Sequence, residues 1–555
     1  MSYFTVHNLS YRLPDGRLLL KQLNLSLQTG VQALVGVNGS GKSLLAGLLA
    51  GTQPLQQGTI QRQGSLGYFA QLQQHCLRKA ATVADVLHIK EPLLALQRIE
   101  QGSCLAADFE QVGEQWTLAQ DSAEQLLALG CPADVWLPCA QLSGGQLSRL
   151  LLWQLFRQQP DWLLLDEPGN HLDAAGRHWL KQQLMDYRGG VLLISHDSSL
   201  LKAVPLLYEL QQGQLTRYGG DIALFTKRKA AEQHAVSQAL EQRKKEQRQL
   251  EQAIMVREQK AQRRARSGKS ERASGSQSKL LLDARQNSAE QSGAARKRQA
   301  EAERRRMQQQ VSQLQQRQHS EQDLSFQLPS QIKQTGALLR LQDLRLCYGA
   351  AQPISLLLQP GDKLWLQGKN GTGKSVLLHT IAGQLEPSAG LLRCGQPTHY
   401  LDQHFSVLDN QQSVLANLQR LAPELNNTAA RTALVSIGLK AAQWPQLVAS
   451  LSGGERMKLA LLALTRPQQS MPLLLLDEPD NHLDLQAKSY LARQLASWPG
   501  SFVLVSHEED FARACQCTQL LELLPDDKYS TYASASFDTA PALGIHQRRN
   551  GRSCR

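Results

Sequence analysis

Four short motifs occur twice in this chain, in the same order, and this repetition limits the fold more than any other feature. The first set reads G-V-N-G-S-G-K-S at Gly36–Ser43, L-S-G-G-Q at Leu142–Gln146, L-L-L-D-E-P at Leu163–Pro168 and S-H-D at Ser195–Asp197. The second reads G-K-N-G-T-G-K-S at Gly368–Ser375, L-S-G-G-E at Leu451–Glu455, L-L-L-D-E-P at Leu474–Pro479 and S-H-E at Ser506–Glu508. Asp166 precedes His196 by 30 residues, and Asp477 precedes His507 by 30. Matched spacing of this kind predicts two copies of one phosphate-handling domain.

Each copy begins with alternating, strand-like sequence and then alternates apolar runs with helical stretches, the signal of an α/β sheet flanked by helices. Leu18–Leu27 and Ile354–Leu358 read as strands leading toward the glycine loops. The copies span residues 1–220 and 333–525, with a helical linker at 221–332 and a polar, disordered tail at 526–555 as the expected remainder. From Lys42 to Ser143 is 101 residues, whereas Lys374 to Ser452 is 78. The surplus falls within Glu91–Ser122, which reads either as a short helical projection or as an ordinary helical subdomain with longer loops.

No apolar run approaches the roughly 20 residues that cross a bilayer as a helix. The nine cysteines are scattered without a C-x-x-C pair, and the start lacks a basic-then-apolar leader. The expected compartment is the cytoplasm, with reduced thiols.

The G-x-x-x-x-G-K-S loops predict backbone N–H groups turned inward around phosphates, at Gly36, Asn38, Gly39 and Gly41 and at Gly368, Asn370, Gly371 and Gly373. Lys42 and Lys374 supply charge near the terminal phosphates. Ser43 and Ser375 offer hydroxyls to Mg²⁺. Asp166 and Asp477 end apolar strands and suit the same ion. Glu167 and Glu478 follow, placed to polarise a water, and His196 and His507 are placed to hydrogen-bond a γ-phosphate. Gln71 and Gln403 are natural partners for the ion and the water. Tyr348 and Tyr11 are the candidates to stack on a nucleotide base.

L-S-G-G-Q and L-S-G-G-E, each upstream of L-L-L-D-E-P, resemble the signature of ATP-binding cassette (ABC) ATPases. That resemblance implies ATP with Mg²⁺ clamped between cassettes of one chain, which would act as a monomer. Ser143, Gly144 and Gly145 would complete the site on Lys374, and Ser452, Gly453 and Gly454 the site on Lys42. E-P-G-N-H-L-D at Glu167–Asp173 and E-P-D-N-H-L-D at Glu478–Asp484 resemble the E-P-T-N-H-L-D of the ABC-F group, soluble tandem cassettes that act on ribosomes. Gly169 and Asp480 stand where that group has threonine. The resemblance implies two P-loop ABC ATPase domains joined by a long α-helical hairpin. It also implies contact with ribosomal RNA and P-site tRNA through the linker near 256–279.

The formal net charge is +12. Between Lys227 and Arg317 there are 23 Lys/Arg against 10 Asp/Glu, so the whole excess lies in the linker. Ala230–Ala265 and Lys279–His319 are expected to be helices, parted by Gly268, Gly275 and nearby serines, with Met307, Val311 and Leu314 as a short seam. Val256–Lys279 carries Arg257, Lys260, Arg263, Arg264, Arg266, Lys269, Arg272 and Lys279 and no aromatic residue. That composition fits backbone and shape recognition of folded RNA better than base stacking, or else a solvated spacer. Two other classes share the doubled motifs. An ATPase subunit of a multi-chain ABC transporter would leave the basic linker without a role. A DNA-repair ATPase would be expected to carry zinc-type cysteine spacing and much longer coiled coils.

Overall fold

The computed structural model describes residues 3–70, 82–170, 172–273, 298–299, 301–312, 336–350, 352–465, 471–481, 483–524 and 531–534. The chain divides into one unit of Met1–Ile222 with Asp323–Arg555 and another of Ala223–Gln322.

In the first unit, copy one begins with β1 (Phe4–Arg12), β2 (Leu18–Leu27) and β3 (Gly30–Val35). It continues through β4 (Gln57–Arg62), β5 (Leu66–Phe69), β6 (Trp162–Asp166), β7 (Gly190–Ile194), β8 (Leu206–Gln211) and β9 (Gln214–Gly219). Its main sheet runs β5-β6-β7-β3-β8-β9, parallel except for the last pair. Every residue of β6 and β7 is buried. This explains their unbroken apolar runs, because helices cover both faces of a parallel sheet. β2-β1-β4 form a separate antiparallel sheet, and β2 shows the in–out alternation of a strand with one solvated face.

Copy two repeats this plan. Its strands are β10 (Leu339–Arg345), β11 (Ile354–Leu358), β12 (Lys363–Gly368), β13 (Ala389–Cys394), β14 (Thr398–Leu401), β15 (Leu473–Asp477), β16 (Phe502–Val505), β17 (Gln519–Leu523) and β18 (Thr531–Ser534). The main sheet runs β14-β15-β16-β12-β17-β18, matching copy one strand for strand. Both strands read as leading to the glycine loops, Leu18–Leu27 and Ile354–Leu358, form over those residues.

Two expectations are revised, and one left open between two readings is resolved. The tail was expected to be disordered, yet Thr531–Ser534 pairs antiparallel with β17 as β9 does with β8. An edge strand with free N–H and C=O groups offers alternate residues of such a segment hydrogen-bond partners. Gly268 does not end the first linker helix, which runs unbroken over Ile222–Ala273. A glycine costs a helix only about 1 kcal/mol relative to alanine, and the Ala-, Arg-, Gln- and Glu-rich neighbours outweigh it. The surplus of copy one is a packed subdomain rather than a projection. Helices Lys90–Glu100, Ala106–Val112 and Leu118–Ala128 pack around a core of Val83, Leu93, Val112, Leu126 and Leu147. Arg98 joins the first two of these helices by an ion pair to Asp108 at 2.6 Å.

In the second unit, residues 301–312 are also helical, and Val311 is buried. The rest of the expected turn, residues 274–279 with Gly275, and Leu314 lie outside the described residues.

Candidate nucleotide sites at the cassette interface

Each glycine loop links a buried strand to a helix. Gly41 (φ 101°) and Gly373 (φ 89°) adopt left-handed backbone directly before Lys42–Ala50 and Lys374–Ile381. Glycine takes this conformation without the penalty a Cβ brings. The turn aims the first N–H groups of each helix, and its positive dipole end, into the loop. Lys42 Nζ donates to the carbonyls of Gly36 (2.8 Å) and Val37 (3.2 Å). Lys374 Nζ donates to those of Gly368 (2.8 Å) and Lys369 (3.0 Å). Both ammonium groups are thus folded over the place where a phosphate chain would lie.

Asp166 and Asp477 leave the ends of β6 and β15 beside the loop serines. Burial raises the pKa of each above the ordinary carboxyl value, against hydrogen bonds from Ser43 and Ser375 respectively. The next residue turns sharply, with φ 51° at Glu167 and φ 48° at Glu478. Such backbone costs a non-glycine residue about 1–3 kcal/mol. It is held by hydrogen bonds from Glu167 N to Ile194 O (2.8 Å) and from Glu478 N to Val505 O (3.0 Å). The same turn brings each glutamate to the histidine that follows the neighbouring strand.

There the sites diverge. His507 Nε2 lies 3.2 Å from Glu478 Oε1, whereas His196 Nε2 lies 3.6 Å from Glu167 Oε1. Burial drives Glu167 up to about 7, with Lys42 opposing the shift. Burial also pushes Glu478 upward, but its hydrogen bond to His507 and the nearby charges outweigh it and hold this carboxyl below the usual value. Burial, with Lys42 and Lys488, depresses His196 well below the ordinary histidine value, so at neutral pH its imidazole is uncharged.

Two cavities lie between the copies. One, of about 400 Å³, joins Ser143, Gly144 and Gly145 of copy one to Tyr348, Lys374, Ser375, Glu478 and His507 of copy two, together with Asn370, Gly371 and Gly373. Tyr348 is 76% exposed at its rim, so its ring is free to stack on a base. The other, of about 370 Å³, holds Asn38, Gly39, Gly41, Lys42, Ser43, Asp166, Glu167 and His196. Copy two closes it with Asn481, Leu483, Lys488 and Glu508; Ser452, Gly453 and Gly454 are not among its lining residues. Asn38 N donates to Asp484 Oδ2 at 3.0 Å and ties this glycine loop to copy two.

Five further candidates are not placed in these linings. Tyr11 packs partly buried against the core of copy one and does not line the first cavity. Gly36 and Gly368 contribute through the carbonyls that hold the lysines. Gln403 is half-buried just past β14 and outside the second cavity's lining. Gln71 lies outside the described residues.

The family model described as ABC transporter matches residues 20–170 and 351–481. YfmM of Bacillus subtilis, an ABC transporter ATP-binding protein, is 28% identical over 92% of this chain and 96% of its own. EttA of Escherichia coli K12, an energy-dependent translational throttle protein, is 29% identical over 92% of this chain and 90% of its own. This chain belongs to the ABC-F family of tandem ATP-binding cassette ATPases. An archaeal ribosome recycling factor, aABCE1, solved with the ribosomal stalk protein aP1, superposes with a TM-score of 0.51. That similarity covers 93% of this ABC-F chain and 87% of the archaeal one at 17% identity, and it bears on the fold alone.

As an ABC-F protein, the chain is an ATPase with two cassettes. Its cavities fit a triphosphate with a hard cation. Asp166 Oδ1 is buried without a hydrogen-bond partner, as are both ring nitrogens of His196. Among the described residues no three His, Cys, Asp or Glu side chains cluster as a metal cage.

Sequence reading missed three residues at these sites, two tyrosines and an asparagine. Tyr400 on β14 donates to Asp477 Oδ2 at 2.9 Å, and the charge of Asp166 acts on Tyr68 of β5. Both stand three residues before the candidate glutamines, and that shared offset was the available signal. Asn481 donates to Glu478 Oε2 and lines both cavities.

Gly349 offers a direct test of the second cavity. At φ 100°, a Cβ there would lie 2.6 Å from Gly373 Cα and 2.8 Å from Gly373 N, backbone atoms that cannot rotate away. Gly349→Ala is expected to lower stability by about 1–3 kcal/mol and second-site ATP affinity about tenfold. Nucleotide titration in a Lys42→Ala background reads this, and unchanged affinity would show that the two loops can part freely.

Proposed function

We propose that this ABC-F ATPase binds the ribosome with its cassettes closed on two ATP molecules and leaves it after hydrolysis. The observation that carries this reading is the unbroken helix Ile222–Ala273, which leaves copy one with a strong excess of basic residues. Among the described residues no helix is long and apolar enough to cross a membrane, so the helix suits a polyanionic partner better than a bilayer. The likeness to EttA, named as a translational throttle, supports the same class of target.

In this reading the loop N–H groups, Lys42 and Lys374 bind and orient the triphosphates. Ser43 with Asp166, and Ser375 with Asp477, would hold Mg²⁺, which when bound supplies positive charge to the terminal phosphates. Glu167 and Glu478 take the proton of the attacking water as its oxygen bonds to the γ-phosphorus. The bond from that phosphorus to the bridging oxygen breaks, giving ADP and phosphate. Ser143, Gly144 and Gly145 sense the γ-phosphate of the second site from across the interface. Loss of that phosphate removes one of the ties between the cassettes and leaves the weaker direct contacts to hold them.

The full chain is expected to sediment with ribosomes in a non-hydrolysable ATP analogue and to stay at the top of the gradient in ADP. Equal behaviour with both nucleotides, or recovery only with membranes, would overturn the reading. Replacing Arg263, Arg264 and Arg266 with Glu is expected to weaken ribosome binding while sparing ATP binding. If all three meet phosphates, the slope of log affinity against log salt should fall by about two to three. An unchanged slope would leave the linker as a spacer.

A further inference from the structure

A cluster of charged side chains lines the first cavity without a role assigned to it so far. Arg177 stands four residues after Asp173, and Lys488 four residues after Asp484, at matching places on helices Ala174–Asp186 and Leu485–Ser497. Arg177 is buried and the Lys488 side chain is 11% exposed, and around them lie the buried carboxylates of Asp197, Glu508 and Asp480. Isolated charges cannot be taken out of water at this depth without compensation, so each must answer to another.

The two cations do so differently. Arg177 Nε lies 3.2 Å from Asp197 Oδ2 in its own cassette. Lys488 pairs with Glu508 in its own cassette, and its Nζ also donates to His196 O of the other cassette at 3.0 Å. Asp480 accepts from Ser506 Oγ at 2.8 Å, and the charges of Lys488 and Arg177 act upon it. Copy one has Gly169 at the matching place. A Cβ there would come within 3.5 Å of Asp197 Oδ2 and 3.2 Å of Leu200, so a carboxylate would face a carboxylate. The departure at Gly169 and Asp480 therefore makes this network one-sided. Lys488 reaches only the first nucleotide cavity, whereas Arg177 lines both and keeps Nη1 without a hydrogen-bond partner.

We propose that Lys488 is a positioning residue supplied in trans: the second cassette holds the His196 turn of the first site, while Arg177 is a cation shared by both sites. The first site would then reach its working geometry only when the cassettes are closed, and the second would not depend on Lys488 in the same way. Burial acts to neutralise Lys488, but Glu508, Asp480 and Asp197 outweigh it and keep the side chain protonated, as a charged donor to His196 O requires.

The test uses the full chain without ribosomes, so it stands apart from the ribosome reading, and it rests on the site assignment above. Glu478→Gln leaves turnover to the first site and Glu167→Gln to the second. In the Glu478→Gln background, Lys488→Met is expected to lower kcat about tenfold or more, the effect of a lost charged hydrogen bond, with KM for ATP changed less than about twofold. Lys488→Arg should recover most of that loss. In the Glu167→Gln background the loss should be under about threefold, whereas Arg177→Met should lower kcat in both backgrounds. Thermal unfolding of each variant checks the fold, and Lys488→Gln replaces Lys488→Met if the latter does not fold. Equal losses in both backgrounds, a change in KM alone, or no recovery with arginine would overturn the proposal. If neither glutamate variant by itself lowers turnover, the site assignment falls and this proposal falls with it.

Discussion

The Glu167→Gln, Glu478→Gln double variant is expected to lose ATP turnover by about 10²- to 10⁴-fold, the contribution of a positioned general base. An amide matches the carboxylate in size but cannot take a proton from water. The strand-end turns at φ 51° and φ 48° depend on backbone hydrogen bonds to Ile194 and Val505, which the substitution keeps. The ties between cassettes, Asn38 N to Asp484 and Lys488 to His196 O, do not involve either glutamate. The variant should therefore bind ATP, close and remain closed. On the proposed function it collects on ribosomes in ATP and stays free in ADP. Turnover within about threefold of the parent would remove both glutamates from the role of base.

The second large effect concerns Gly145→Asp. Gly145 lies in the first turn of the helix Gly144–Arg157, whose cap Ser143 accepts from Gln146 N. A carboxylate near a helix N-terminus is favourable by about 0.3–1 kcal/mol, so the variant should fold. The same carboxylate would face the Lys374 cavity, where a triphosphate is to lie. Like charges set against each other across an interface cost several kcal/mol, about a hundredfold or more in affinity. Turnover measured in the Glu167→Gln background, which reads the second site, is expected to collapse. In the Glu478→Gln background the loss should be far smaller, because the first cavity is lined by Asn481, Leu483, Lys488 and Glu508 rather than by a signature segment. A larger loss at the first site would mean that the signature of copy one serves its own cassette.

Much of this was legible in the sequence because the signals are local. A left-handed glycine before a lysine, a carboxylate ending an apolar strand and a histidine ending the next one each need only a few neighbouring residues. Tyr400 escaped notice because a tyrosine in a strand is most simply read as sheet packing, and only the placement of β14 beside β15 brings its hydroxyl to Asp477. Gly268 was misread because a glycine was given the weight of a helix end, when its cost is small against so long a run of helix formers. Thr531–Ser534 was missed because the segment forms a strand only where β17 offers an edge.

The repeated motifs alone determined two α/β cassettes, the loop that cradles phosphate in each, and the carboxylates and histidines placed around it. The conformation within each element follows from side-chain periodicity and local turn chemistry, which a sequence displays directly. Only the tertiary structure decided how the two halves meet. The family resemblance had implied the signature of copy one against the loop of copy two, but the tertiary structure closed the other cavity with Lys488 and Glu508 and buried Arg177 where both cavities reach it. Those contacts join residues hundreds of positions apart, such as Asn38 with Asp484 and His196 with Lys488. They arise from the docking of two folded surfaces, a geometry that no local pattern encodes.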